Sequence, residues 1–509
     1  MKLLNKIYPL FVVWLSLFSI ANAENPNTIS PTSPFFNKII KEEINLNKPD
    51  SQKYIISANL TFNKSLICST RAFARIVTDR NDIISDIDGN GFPDIPFGEY
   101  GGTGAYVAFQ TSLGNFQCKP INFVWVYGIS VGDFNGDLRK DIVYTSAWNA
   151  TLHILINNGG LSFTQYQIQT GGFPNHIGIR NVNLGPSAEI LITDEYKRLL
   201  KYNFLTNSLT TINNTCKEGI SVADINGDGA QDIVCSDVNY DTSVSMGRLY
   251  YQLNLGNNWS SMYVLSNIYG YWHGIAAADL NKDGKVDVVS CRADANLVYI
   301  FYNNGGNPPT FNSTYVNTGS DVNPCELKIA DLDCDGDYDI VWSKGYGATY
   351  DIGWIENGYP NNTWTNHIIE NFGYSEVYGV VVADVNKDKK PDIVAPLNIN
   401  IFSPETGECL SCGIYVYYNT SNIDTTSCAP ITPVDIPEKS EINAKIDVKG
   451  KEVRLLLNKS INDKLDIFDV SGKKLWTYYI NGQQLTFKIP NSGVYVMRLR
   501  DKSYKVVVK

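Results

Sequence analysis

Two hydrophobic and polar patterns alternate along most of the chain. The first is a run of period two that ends in a turn. Leu152-His-Ile-Leu-Ile-Asn-Asn-Gly159, Leu297-Val-Tyr-Ile-Phe-Tyr-Asn-Asn-Gly305 and Gly413-Ile-Tyr-Val-Tyr-Tyr-Asn419 are examples. Alternation of this kind, closed by Asn-Gly, predicts half-buried strands joined by tight turns. The second is a short apolar strand, a nine-residue acidic loop, and a second strand that usually starts Asp-Ile-Val. It recurs at 86, 133, 224, 279, 331 and 384, with a degenerate copy at 183 whose loop is shorter and lacks the acids. Successive starts lie 41 to 55 residues apart. A period near fifty residues with four strands per unit predicts propeller blades. The expected fold is therefore all-β: a seven-bladed β-propeller over 53–428, with Tyr54 to Phe62 supplying the outer strand of the last blade.

The loops carry a defined chemistry. Positions 1, 3, 5 and 9 are Asp86, Asp88, Asn90 and Asp94 in the first copy, and Asp133, Asn135, Asp137 and Asp141 in the second. They are Asp224, Asn226, Asp228 and Asp232, then Asp279, Asn281, Asp283 and Asp287, in the next two. The last two have Asp331, Asp333, Asp335 and Asp339, and Asp384, Asn386, Asp388 and Asp392. Alternate side chains on a tight turn converge on one point, and hard oxygen ligands at that density suit Ca²⁺. Glycine at position 6 (Gly91, Gly229, Gly284, Gly336) permits the sharp turn; Leu138 and Lys389 replace it in loops two and six. Up to six Ca²⁺ ions are expected, holding hairpins rigid rather than taking part in chemistry. Acidic turns without metal are the alternative.

These loops and their spacing resemble the FG-GAP/VCBS repeat family of integrin-α-type propellers, over roughly Arg75 to Asn419. The resemblance implies a calcium-stabilised seven-bladed propeller whose loops on the face away from calcium bind partners. It implies no single function, because its members include adhesion receptors, lectins and polysaccharide lyases.

The two ends of the chain add an address. Lys2 and Lys6, an apolar run from Leu10 to Ile20 and Ala21-Asn22-Ala23 read as a secretory signal peptide over 1–23, followed by an N-terminal extension over 24–52. No later stretch reads as a transmembrane helix. Export makes oxidation of the ten cysteines expected, and Cys409-Leu-Ser-Cys412 reads as a local disulfide; the pairing is otherwise open. A Pro-rich linker over 429–441 precedes a β-sandwich over 442–509 with fourteen Lys or Arg against six Asp or Glu. Leu465-Asp-Ile-Phe-Asp-Val-Ser-Gly-Lys-Lys474, Ile489-Pro-Asn-Ser-Gly-Val-Tyr-Val-Met-Arg498 and Lys505-Val-Val-Val-Lys509 resemble the type A sorting domain of the type IX secretion system. That implies a partner in the type IX machinery and a place on the surface of a Bacteroidota-type bacterium, attached to its outer membrane. A generic carbohydrate-binding sandwich is the alternative.

The net charge of −10 excludes a general basic field for nucleic acid. Six Ca²⁺ would bring the mature chain close to neutrality. For a ligand, the turns between blades are rich in aromatics. Trp125, Tyr127, His176, Tyr271, Trp272, His273 and Tyr378 sit there, with Phe173, Tyr269 and Tyr374. Arg292 and Trp342, with Trp148, Asp294, Lys344 and Tyr346, follow the second strands. Aromatic faces with a few polar groups suit a glycan or an extended peptide. Enzyme signals are weak. Gly128-Ile-Ser130-Val-Gly132 matches GxSxG outside a strand-to-helix elbow, and His153 and His367 read as packing residues. Only His176 and His273 stand as candidate general bases. The expected role is a calcium-binding surface module for a glycan or protein. A polysaccharide lyase or hydrolase on the same scaffold, and a structural surface component, are the alternatives.

Overall fold

The structure is a computed structural model. It describes residues 53–508 except 56–59, 80, 101–103, 138, 147–148, 181–188, 197, 239–245, 257, 320–322, 346–351, 372–374, 403–408, 431–443, 470–472 and 500–501. The chain divides into two units, Met1–Gln52 and Lys53–Lys509. The first unit, with the expected signal peptide and extension, lies outside the described residues, as does most of the linker.

The described residues form strands and turns with a single 3-10 turn at Ala293–Ala295. No helix among them is long and apolar enough to cross a membrane. Six successive four-stranded antiparallel sheets take up the repeats in order. Their first strands are Phe73–Arg75, Ile129–Gly132, Pro174–Arg180, Ile220–Ala223, Trp272–Ala278 and Pro324–Ala330. A seventh sheet combines Ser375–Glu376, Val381–Ala383, Asp392–Phe402 and Cys409–Asn419 with Thr61–Thr70 and Lys53–Ile55 from the other end of the chain. The closing strand is thus Thr61–Thr70, paired Phe62 to Asn419 through Thr70 to Cys412. The expected segment, Tyr54 to Phe62, meets it only at its end; Lys53–Ile55 adds an outer edge strand.

Alternation explains why these segments pair as they do. In Asp141–Ser146 and Asp339–Lys344 every residue is buried, because the inner strands are covered on both faces. Outer strands such as Ser162–Gln169 are mostly exposed. The cores lie between neighbouring sheets. Val234, Leu249, Trp272, Tyr299 and Phe301 fill one layer; Val289, Ile300, Leu327, Ile340 and Trp342 fill the next. Four disulfides join Cys68–Cys118, Cys216–Cys235, Cys334–Cys428 and the expected Cys409–Cys412.

A repeated side-chain clasp ties sheet to sheet. Asn157 sits in the third strand of the second sheet. Its Nδ2 donates to the carbonyl of Lys140 in its own sheet (3.0 Å) and of Ile87 in the first sheet's loop (2.7 Å). Asn303 reaches Ile225 O (2.8 Å), Asn357 reaches Leu280 O (2.9 Å) and Asn419 reaches Leu332 O (3.2 Å), each one sheet back. Gln110 of the first sheet reaches Val385 O of the seventh (3.1 Å), so the series runs from the last sheet to the first. Asn157, Asn303 and Asn419 also accept the N–H two residues on, as Asn303 Oδ1 does from Gly305 (2.8 Å).

At the end of the chain, Ala444–Lys449, Glu452–Asp469, Lys474–Lys488, Gly493–Leu499 and Lys502–Val508 form one five-stranded antiparallel sheet. It has its own apolar core, with Leu455, Leu465, Ile467, Ile480, Met497 and Val506.

The clasp yields a direct test. Replacing buried Asn303 by Ala strands two carbonyls and should cost about 2 kcal/mol or more of stability. Its exposed neighbour Asn304→Ala should stay within about 0.5 kcal/mol. Chemical denaturation of both variants checks the difference; equal midpoints would remove the clasp from the account.

Candidate functional site

All six acidic loops fold the same way. The N–H of position 5 donates to the position 1 Asp Oδ1 in every copy, at 2.9–3.1 Å. The N–H of position 6 donates to its Oδ2 wherever that residue is described, for example Gly91 to Asp86 at 2.9 Å. The geometry needs left-handed backbone at position 6, where Gly91 has φ 88° and Lys389, lacking glycine, still has φ 70°. Position 4 is left-handed too, at Gly89, Gly136, Gly227, Lys282, Cys334 and Lys387, a requirement the sequence reading did not identify.

The ninth position is different in kind. Asp94, Asp141, Asp232, Asp287, Asp339 and Asp392 are fully buried. One oxygen of each accepts the N–H of position 2, from Ile87 to Asp94 at 2.8 Å to Val385 to Asp392 at 3.0 Å. The other accepts the backbone N–H of the clasp residue, Gln110, Asn157, Asn254, Asn303, Asn357 or Asn419, at 2.7–2.9 Å. In the degenerate repeat, Glu189 is buried at the equivalent place and pairs with Lys201 at 3.2 Å.

Burial shifts these acids upward, although the N–H bonds work the other way. Asp94 and Asp141 rise to about 6, and Asp232 and Asp287 to about 7. Asp339 and Asp392 rise well above the ordinary range. In two loops, Asp86, Asp88 and Asp94, and Asp331, Asp333 and Asp335, oxygens lie within 4.8 Å of one another. These are the loops with an acid rather than Asn at position 3. Cys334–Cys428 and the Ala429 N–H bond to Asp331 Oδ2 (2.7 Å) tether the second of them.

The expected ligand face is only partly a face. In each four-stranded sheet that carries an acidic loop, the loop lies at one end and the turn to the next sheet at the other. On that other end Phe123 is 74% exposed, Tyr196 60% and Tyr269 56%, with Trp125 and Phe173 also exposed. Phe173 and Tyr196 have ring centroids 6.5 Å apart. Arg198 stands 5.6 Å from the Tyr196 ring and Arg248 4.3 Å from Tyr269. The sequence reading did not single out Phe123 or Tyr196.

Trp272 and Trp342 are corrected by the structure. Both are fully buried strand residues packed between sheets, with indole N–H bonds to Ile268 O (3.0 Å) and Asn366 Oδ1 (2.9 Å). Strands begin at Trp272 and run through Trp342, where turns were expected, so their rings enter the interlayer. Tyr378 is buried as well, against Arg75 at 4.2 Å, with half-buried Tyr127 at 5.0 Å from the same guanidinium. Half-buried Tyr271 meets the His273 ring edge-on at 5.7 Å, and Arg292 pairs with Asp294 at 3.0 Å. The side chain of His176, and Trp148, Tyr346 and Tyr374, lie outside the described residues.

His273 is also corrected. Its side chain is 5% exposed, with Nδ1 3.0 Å from Glu326 Oε1 and Nε2 3.8 Å from Glu218 Oε2. This burial withdraws it from the role of base toward a polymer substrate. Cys291, Cys325 and Lys328 are buried beside Glu326, and burial pushes both thiols up and the Lys328 ammonium down. His153 stacks on Tyr144 at 4.8 Å and falls to about 4 through burial, and His367 pairs with Glu356 at 2.7 Å; both are packing residues, as expected.

Among known proteins, the family described as FG-GAP-like repeat matches residues 224–290 and 279–342. No curated protein matches the chain. Among solved structures, BBS1N in complex with ARL6DN, soaked with lead, is 10% identical, covering 70% of this chain and 99% of that one at a TM-score of 0.44. Luciferin-regenerating enzyme is 11% identical, covering 58% and 92% at a TM-score of 0.37. The matched repeats and the succession of small sheets support an FG-GAP-type β-propeller fold.

The raised acids fix the sign of a pH effect. An unfolded Asp titrates near ~3.9, so between there and about 7 the native state holds more protons than the unfolded one. In chelator, stability should therefore fall as pH rises from about 5 to about 8. Calorimetric melting across that range checks it; a rising stability would mean that these carboxylates are stabilised as anions without any cation.

Proposed function

We propose that the protein is a calcium-loaded, seven-bladed propeller displayed on the surface of a Bacteroidota-type cell, where it binds a glycan. The seven repeat sheets are its blades, and up to six Ca²⁺ ions occupy the acidic loops. The basic five-stranded module at the end of the chain is the sorting domain read by the type IX machinery. The observation that carries the binding role is the set of exposed rings on the end away from the loops. Phe173 and Tyr196 form one exposed pair, and with Phe123, Trp125 and Tyr269 on the same end they suit sugar faces. Arg248 beside Tyr269 supplies donors for hydroxyl or carboxylate groups, while Arg198 already donates through Nε and Nη2 to Asp194 and Thr170.

Calcium fits the loops on chemical grounds. Three or four side-chain oxygens per loop, held by left-handed turns at positions 4 and 6, suit a hard cation. A bound divalent ion also reverses the penalty for keeping buried carboxylates ionised. Saturating Ca²⁺ should then abolish or invert the pH slope seen in chelator.

The test of binding uses the full chain in Ca²⁺ buffer with a panel of plant, algal and host polysaccharides. Retention should occur without release of unsaturated or reducing ends. Phe173→Ala with Tyr196→Ala should weaken retention by about tenfold, the scale of ~1.4 kcal/mol, with melting unchanged. Product release would make the protein an enzyme. Retention that ignores both substitutions would move the ligand elsewhere, and no retention on any polymer would favour a protein partner.

A further inference from the structure

We propose that His273, Cys325 and Glu326 form a buried transition-metal site of the Zn²⁺ type, separate from the acidic loops. Nδ1 or Nε2 of His273, Sγ of Cys325 and a carboxylate oxygen of Glu326 lie within 4.8 Å of one another, and all three residues are buried. Imidazole, thiolate and carboxylate are a ligand set that Zn²⁺ accepts and Ca²⁺ does not. Two ligands on a tetrahedral Zn²⁺ stand roughly 3.3 Å apart; His273 Nδ1 and Glu326 Oε1 are 3.0 Å apart.

Local backbone irregularity brings the three together. Cys325 and Glu326 are consecutive, and in a regular strand they would face opposite sides. Pairing runs Pro324 with Lys344 and then Glu326 with Ser343, so Cys325 is the extra residue of a bulge, which re-aims side chains. The neighbouring inner strand is irregular at the same level, pairing Trp272 with Arg292 and then Ile275 with Ser290 across His273. Gly274 lets the two strands approach: a Cβ there would lie 2.8 Å from Cys325 O and 2.9 Å from Glu326 Cα. Glu218, 3.8 Å from Nε2, faces the ring nitrogen opposite Glu326, where a carboxylate would orient a metal-bound imidazole.

Charge and thiol inventory agree with an ion. Zn²⁺ offsets the Cys325 thiolate and the Glu326 carboxylate, and the Glu218 carboxylate beyond His273 is balanced by the buried Lys328 beside Glu326. Eight cysteines are paired, while Cys291 and Cys325 are free and buried. Cys291 is a second thiol nearby but not in the triad; its Sγ lies 2.8 Å from Cys325 O and 3.1 Å from Gly274 N. A site enclosed in this way takes up metal during folding and releases it on unfolding.

The full chain, disulfides intact, is unfolded in chelator and refolded with Ca²⁺ in large excess and Zn²⁺ or Co²⁺ present. About one equivalent of Zn²⁺ should remain after desalting, and the Co²⁺ form should show a thiolate-to-cobalt charge-transfer band in the near ultraviolet. Cys325→Ser and His273→Gln should weaken Zn²⁺ retention at least tenfold, and Cys291→Ser should keep it. The Co²⁺ spectrum of the unmutated chain holds the test even if a variant fails to fold. No retained metal, Co²⁺ bound without a thiolate band, retention equal in Cys325→Ser, or a Cys291–Cys325 disulfide by mass spectrometry would each overturn the proposal.

Discussion

The aspartate at the ninth position of each acidic loop is the constraint on which the repeat sheets depend. It is wholly buried, and each of its oxygens accepts a backbone N–H: one from its own loop, one from the third strand. One carboxylate thereby fixes the loop against the sheet and positions the clasp residue. The Asn or Gln so placed then reaches a loop carbonyl of the preceding sheet. A buried acid with both oxygens satisfied is tolerable; the same acid without them would cost several kcal/mol. Glu189 with Lys201 shows the alternative solution, an ion pair where the loop has lost its acids.

This arrangement explains why much of the fold is legible in the sequence. The Asp at position 9 and the left-handed turns leave a recurring spacing, so the repeat starts and the β class can be read directly, while the N-terminal strand of the last sheet is Thr61–Thr70 rather than the expected Tyr54 to Phe62. The clasp is legible only in retrospect. Ile156-Asn157-Asn158-Gly159 and Tyr302-Asn303-Asn304-Gly305 look like strand followed by turn, and they are that. The first Asn of each also bonds across sheets, which no local pattern encodes.

The ligand face was harder to read for a definite physical reason. Period-two alternation separates faces only where one face is wet. Inner strands covered on both sides make Trp272, Trp342 and His273 look the same as rim residues, and a bulge beside His273 and at Cys325 shifts which side a residue faces. The segment between Phe73–Arg75 and the first acidic loop also reaches other sheets. Asn81 donates to Ile329 O and accepts from Val382 N–H, bridging the sixth and seventh sheets, while Thr78 bonds Ser130. What remains for a partner on the end away from the acids is the set of exposed aromatics, with Phe173 and Tyr196 standing beside the Arg198–Asp194 pair.

The account turns on whether the acidic loops hold cations or only their own backbone. Isothermal titration of Ca²⁺ into the chelated full chain, read beside a variant of the exposed position 5 acid, Asp283→Asn, tests that most directly. The account predicts several equivalents of Ca²⁺ bound with a rise in melting temperature, and a loss of about one equivalent in the variant. A titration with no heat and no shift in melting would contradict it, leaving the loops as acidic turns closed by their own N–H groups.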